Sequence, residues 1–200
     1  MKRLIFALLF PVVLLAQEPV LLVEEVVPQD SVKTAKVTIS AFGIVSEPAQ
    51  VGISFEREVK STRFDGGLHS FLVNVGAGFM SYNNTRIGDI SGEGVVVEVG
   101  ARIYHDKKGR KTGLFAENLL SYGNVKFNEA NSDGDFKGTY SYVSLINPNA
   151  GYKFIRSKSF VFEASIGANW KWELDPSGDV DNADFFNVLF RVGAKVGYRF

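Results

Sequence analysis

The 200-residue sequence contains no cysteine, which removes disulfides, thiolate metal sites and thiol nucleophiles at once. Histidine is nearly as scarce, with only His69 and His105 available as neutral-pH bases. Beyond Ala16 there is no run of about 18 uncharged apolar residues, which excludes a helical membrane protein. Net charge is missing too: 22 basic and 22 acidic side chains cancel, and nothing in that balance points to a nucleic-acid partner. No Gly/Ser-rich or Pro-rich linker divides the chain, so one domain is expected.

What is present begins with Met1-Lys2-Arg3 and the apolar stretch Leu4 to Ala16, a cationic start followed by a segment too brief to cross a bilayer. Residues 1–16 therefore read as a signal peptide cut after Ala16, although Leu14 is larger than the small residue usual two positions earlier. A retained anchor is the alternative, because Val20 to Val27 is again apolar. Glu18, Glu24 and Glu25 interrupt any continuous span. Residues 17–33 are expected to be an N-terminal periplasmic segment, and residues 34–200 the folded domain.

Abundant aromatics, with 17 phenylalanines, and 20 scattered glycines suit β structure. The pattern has period two. In the last strand Val188, Phe190, Val192, Ala194, Val196, Tyr198 and Phe200 face one way, against Arg191, Gly193, Lys195, Gly197 and Arg199. Upstream, Phe160, Phe162, Ala164, Ile166, Ala168, Trp170 and Trp172 oppose Glu163, Ser165, Gly167, Asn169 and Lys171. Weaker alternation marks strands near 140–155, 113–124, 93–104, 68–82, 50–60 and 34–45, making eight. Short turns at 61–67, 106–112 and 156–159 alternate with longer polar loops at 83–92, 125–139 and 173–186. The short connection Ser46 to Ala49 stands where a first external loop belongs. The predicted architecture is all-β, an eight-stranded antiparallel up-and-down transmembrane β-barrel with short periplasmic turns and long external loops.

Aromatic spacing separates this from a soluble sandwich. Ten residues from Phe160 to Trp170 make about 33 Å of strand, or about 25 Å along a barrel axis tilted by about 40°, the height of a lipid-facing band. Tyr142 and Tyr152 repeat the spacing, with Tyr140 and Phe154 flanking them. Two aromatic girdles are expected from Tyr142, Tyr152, Phe154, Phe160, Phe162, Trp170, Trp172, Tyr198 and Phe200. The opposite faces carry Glu56, Glu98, Arg102, Glu117, Glu163, Lys171, Arg191 and Lys195, which are expected to pair inside an interior only wide enough for side chains. Lys153 and Arg199 read as solvated strand ends. Pro148, with no ladder donor, calls for a bulge or a strand end.

The terminal run Val196-Gly197-Tyr198-Arg199-Phe200 resembles the closing signature of outer-membrane proteins. The stretch Asn147 to Phe154 and Phe162-Glu163-Ala164 resemble the last strands of small OmpA-like and OmpX-like barrels. The resemblance covers residues 35–200 as architecture and only these C-terminal pieces as motif. It implies a cell outer-membrane location in a Gram-negative envelope, contact with outer-membrane lipid and lipopolysaccharide, and docking of Tyr198 and Phe200 to the barrel-assembly machinery.

A search for chemistry gives no nucleophile, base and orienting group together. His69 neighbours Ser70 only in sequence, and adjacent strand residues face opposite ways. His105 belongs to the basic turn His105 to Lys111. Asp175, Asp179, Asp181 and Asp184 supply calcium-type oxygens without the ordered positions of an EF-hand, and read as a solvated acidic loop. The expectation is a non-enzymatic protein without cofactor or metal, structural or surface-interacting through its external loops. A narrow pore or transporter is the first alternative, a lipid-modifying enzyme the second and a soluble ligand-carrying barrel the third.

Overall fold

The computed structural model describes residues 36–59, 68–84, 88–105, 112–131, 134–156, 159–174, 177–180 and 185–200. The expected signal peptide 1–16 and segment 17–33 lie outside these residues, as do most of the turns predicted at 61–67 and 106–112.

No helix occurs among the described residues. The chain runs through β1 (Val37–Val45), β2 (Ala49–Val59), β3 (Leu68–Asn84), β4 (Gly88–Tyr104), β5 (Gly113–Asn131), β6 (Gly134–Ile146), β7 (Pro148–Arg156), β8 (Phe160–Glu173), β9 (Ser177–Gly178) and β10 (Val188–Arg199). Every pairing is antiparallel, and β10 returns to pair with β1, so the sheet closes. The Phe200 N–H completes that seam by donating to the Val37 carbonyl at 2.8 Å. β6 and β7 both lie between β5 and β8, one above the other, and form a single broken stave. The barrel wall therefore has eight staves, and β9 is a short appendage on β6.

Paired residues traced once around the wall run Phe115, Gly151, Ser165, Gly193, Ile44, Gln50, Gly78, Gly94 and Val125, ending ten residues further along β5. That stagger over eight staves tilts the strands by about 40° and leaves a bore that side chains fill.

The break between β6 and β7 corrects the expected face of Tyr142. Leu145 and Ile146 are both exposed in succession, so the alternation slips by one at Asn147. Residues 140, 142 and 144 point inward while 150, 152 and 154 point outward. Tyr142 and its neighbour Tyr140 are thus fully buried and belong to no girdle. Pro148 opens β7 at this break, paired with Asn118, as its missing N–H requires. Asn118, on the outer face, mends the ladder. Its amide donates to the Leu145 carbonyl at 3.1 Å and accepts from the Asn147 N–H at 3.0 Å.

Two predicted loops are also corrected. Residues 83–84, 88–92, 125–131 and 134–139 are paired strand, while 85–87 and 132–133 lie outside the described residues. β3, β4, β5 and β6 consequently rise above the rest of the wall as two long hairpins.

Candidate functional site

Inward-facing residues of every stave meet in the bore, and they are stratified. At the end where β1 begins and β10 finishes, the fully buried Arg102 is the hub. Its guanidinium lies 2.8 Å from Glu117, 2.9 Å from Glu163 and 3.3 Å from Glu56. Lys153, also fully buried, donates to Glu56 at 2.6 Å and lies 3.5 Å from Glu163. The Tyr104 hydroxyl donates to Glu56 and accepts from Arg102 at 3.0 Å and Lys153 at 3.1 Å. The Phe115 ring closes one side, 3.8 Å from the guanidinium carbon. Five charged groups from β2, β4, β5, β7 and β8 are thereby locked across the bore. Such a cluster is stable only because nearly every charge has a partner.

The next level is built on Glu98. Arg191 grips it with two donors at 2.6 and 3.1 Å, while Asn74 and Ser121 donate at 2.9 and 3.1 Å. The Asn147 side chain, turned inward at the stave break, donates to Ser121 at 2.8 Å. Lys195 donates to Ser54 at 2.9 Å and Asn74 at 3.2 Å. Between these groups remains a void of about 10 Å³ lined by Asn74, Glu117, Asn149, Arg191 and Lys195, room for about one water.

Above, the chemistry changes. Among the described residues Lys171 has no hydrogen-bond partner, and its ammonium instead faces the rings of Tyr140 and Tyr142 at 5.0 and 5.5 Å. Then comes an apolar plug of Met80, Ile90, Val125, Phe127, Phe136, Tyr140, Tyr142, Val180 and Phe185. Phe185 stacks on Phe127 and lies 4.3 Å from Tyr140, so the segment after β8 contributes Phe185 to the plug. β9 ties that segment to Gly138 and Thr139 of β6. Glycine at 123 is required here: a Cβ would stand 2.2 Å from the Tyr142 ring.

The predicted interior residues Glu56, Glu98, Arg102, Glu117, Glu163, Lys171, Arg191 and Lys195 are all buried, but not in one network. Glu56, Arg102, Glu117 and Glu163 share the lower cluster, Glu98, Arg191 and Lys195 the middle level, and Lys171 stands apart. Lys153 and Arg199 correct the expectation of solvated ends. Lys153 is a full member of the lower cluster, and Arg199 pairs with the buried Glu58 at 2.5 Å. Of the girdle residues, Tyr152, Phe154, Phe160, Phe162, Tyr198 and Phe200 are exposed on the outer wall at the lower end, and Trp170 and Trp172 at the upper end. The two tryptophans stack at 5.6 Å. His105 is exposed, and the side chain of His69 lies outside the described residues. Among the described residues no cluster of carboxylates, histidines or cysteines could hold a metal ion. Asp179 is exposed and accepts the Lys137 N–H, while Asp175, Asp181 and Asp184 lie outside the described residues.

Sequence reading missed Tyr104, Asn74, Ser121 and Asn147, because neutral polar residues on a strand do not advertise an ionic partner. It missed the apolar plug because Val125, Phe127 and Phe136 fall in a stretch that reads as a polar loop.

Solved structures are similar to this chain in fold. A major outer-membrane protein from Thermus thermophilus aligns at 12% identity over 83% of this chain and 99% of its own, with a TM-score of 0.53. The fold is that of an eight-stranded outer-membrane β-barrel. The N-terminal β-barrel domain of Pseudomonas aeruginosa OprF aligns with this outer-membrane-type barrel at 19% identity, covering 82% of this chain and 97% of that one, with a TM-score of 0.47. Ail, the attachment invasion locus protein of Yersinia pestis, solved with the heparin analogue sucrose octasulfate, aligns at 12% identity over 83% and 96%, with a TM-score of 0.45. No family model matches the chain, and no curated protein sequence does.

Proposed function

We propose that this chain is an integral outer-membrane protein of a Gram-negative envelope, whose barrel is a sealed scaffold and whose tall side presents a surface to partners outside. One observation carries the reading. Around the lower wall the outward residues are almost wholly apolar, as in the Phe71–Phe79 and Ile103–Val95 runs, while ionised groups fill the interior. That polarity suits lipid outside and a charged, paired core. In this orientation the end bearing Val37 and Arg199 faces the periplasm. Tyr198 and Phe200 lie outward there, 49% and 68% exposed, where the assembly machinery can read them during insertion.

On the tall side the outward residues turn polar: Glu93, Ser91 and Asp89 on β4, Asn124, Lys126 and Asn128 on β5, and Ser141, Thr139, Lys137 and Asp135 on β6. Six residues from Val95 to Asp89 lift this sheet about 15 Å beyond the apolar belt at the strand tilt above. It is a rigid, water-facing platform next to lipopolysaccharide, and the reading is recognition or envelope support, with no reaction performed. A lipid-modifying activity would be betrayed by mass spectrometry of lipid A from cells with and without the protein, where the expected result is an unchanged acyl pattern. Membrane residence is tested by extraction. The protein should require detergent and migrate anomalously on gels unless heated, whereas purely soluble fractionation would refute the reading.

A further inference from the structure

The outer wall carries a cleft that the sealed interior does not explain. It has a volume of about 500 Å³ and lies low on β7 and β8, walled by Tyr152, Phe154 and Phe162 with Thr112 and Arg156 at its edge. Tyr152 and Phe154 pack ring to ring at 4.4 Å, which fixes one wall, and the Thr112 hydroxyl is held by the Lys153 carbonyl at 2.7 Å. Arg156 is exposed, and among the described residues it has no ion-pair partner. This contrasts with the buried Arg102 and Arg191, each held by carboxylates.

From this juxtaposition we propose that the cleft is a binding site for an anionic glycerophospholipid of the periplasmic leaflet, one acyl chain lying along the aromatic walls and the phosphate on Arg156. The inference rests on the membrane reading above. The cleft opens outward from the apolar belt, so the molecules that reach it are lipids. Its cation sits at the level of the lower aromatic girdle, where headgroups lie. A guanidinium offers paired donors to phosphate oxygens. A larger outer groove of about 780 Å³, bordered by Phe71, Ala101 and Leu120, has no cation among its lining residues and so can only pack chains.

The test is native mass spectrometry of the full chain released from bicelles of equimolar phosphatidylglycerol and phosphatidylcholine with identical acyl chains. The wild-type protein should retain one phosphatidylglycerol, favoured over phosphatidylcholine by about fivefold, the scale of one cation at a membrane surface. Arg156→Gln should lose that preference, Arg156→Lys should keep about half of it, and Arg57→Gln, an exposed cation at the same rim outside the cleft, should behave as wild type. Equal retention of the two lipids by the wild type, no change on Arg156→Gln, or an equal loss on Arg57→Gln would each overturn the site. Heat-modifiable migration of each variant shows that it has folded. A wild-type protein that never enters the bicelles would instead overturn the membrane reading.

Discussion

The lower and upper parts of this barrel are built from the same strands with opposite polarity. Along β5, Leu114, Leu120 and Tyr122 face outward while Glu117 and Ser121 face inward. A few residues on, Lys126 and Asn128 face outward while Val125 and Phe127 are buried inside. β4 and β6 invert at the same height, from Val95 to Glu93 and from Val143 to Ser141. The lower part has the arrangement of a membrane protein and the upper part that of a water-soluble one. On the membrane reading proposed above, the inversion marks where lipid gives way to water, and it accounts for one region being held by ion pairs and the other by an aromatic plug.

Removing the hub of the lower region should show the largest effect. Arg102→Met leaves Glu56, Glu117 and Glu163 short of their shared cation and should cost about 3–5 kcal/mol, read as a lowered urea midpoint of the refolded protein in detergent. A loss below about 1 kcal/mol would mean that the cluster is more hydrated than its geometry implies. The upper region should fail by cavity formation. Phe185→Ala unstacks Phe127 and Tyr140 and should cost about 3 kcal/mol by the same measurement. It should also raise protease sensitivity of the segment after β8 and leave the lower cluster intact.

Asn118→Leu tests the seam between the regions. It strands the Asn147 N–H and the Leu145 carbonyl on the outer face, which the membrane reading turns to lipid, for about 1–3 kcal/mol, even though leucine is the more lipid-soluble side chain. The smallest effect belongs to Lys171. With two ring faces against its ammonium, and Glu47 and Glu173 acting on it without a hydrogen bond, Lys171→Met should change stability by less than about 1 kcal/mol, in contrast to Arg102.

This inversion also decides how much could be read from the sequence. Strands such as β8 and β10, apolar on one parity and charged on the other, declare themselves, and with them the barrel class, the staves and most of the interior charges. The ends of the stretch 125–139 alternate too, but with Val125 and Phe127 on the parity that carries Glu117 and Ser121 lower on β5, and Phe136 on the parity that carries Ser144 lower on β6. A reading that fixes which parity is apolar takes such a stretch for a loop. Extending the alternation with its sign reversed would have found the plug. Carrying one parity across Asn147 misplaces Tyr142, and Pro148 is the local sign that the ladder breaks there. Glu117 stands directly opposite Arg102 in the β4–β5 pair, but Glu56 and Glu163 were beyond reach, since they come from strands that meet Arg102 only across the closed bore.

The central claim is that charge pairs below and aromatics above seal the bore. Planar-bilayer recording of the refolded full chain tests it most directly. The structure predicts no steady single-channel current in the wild type, and none in Phe185→Ala, because the Arg102 and Glu98 levels still block the path. Sustained, ohmic conductance by the wild-type protein would contradict it.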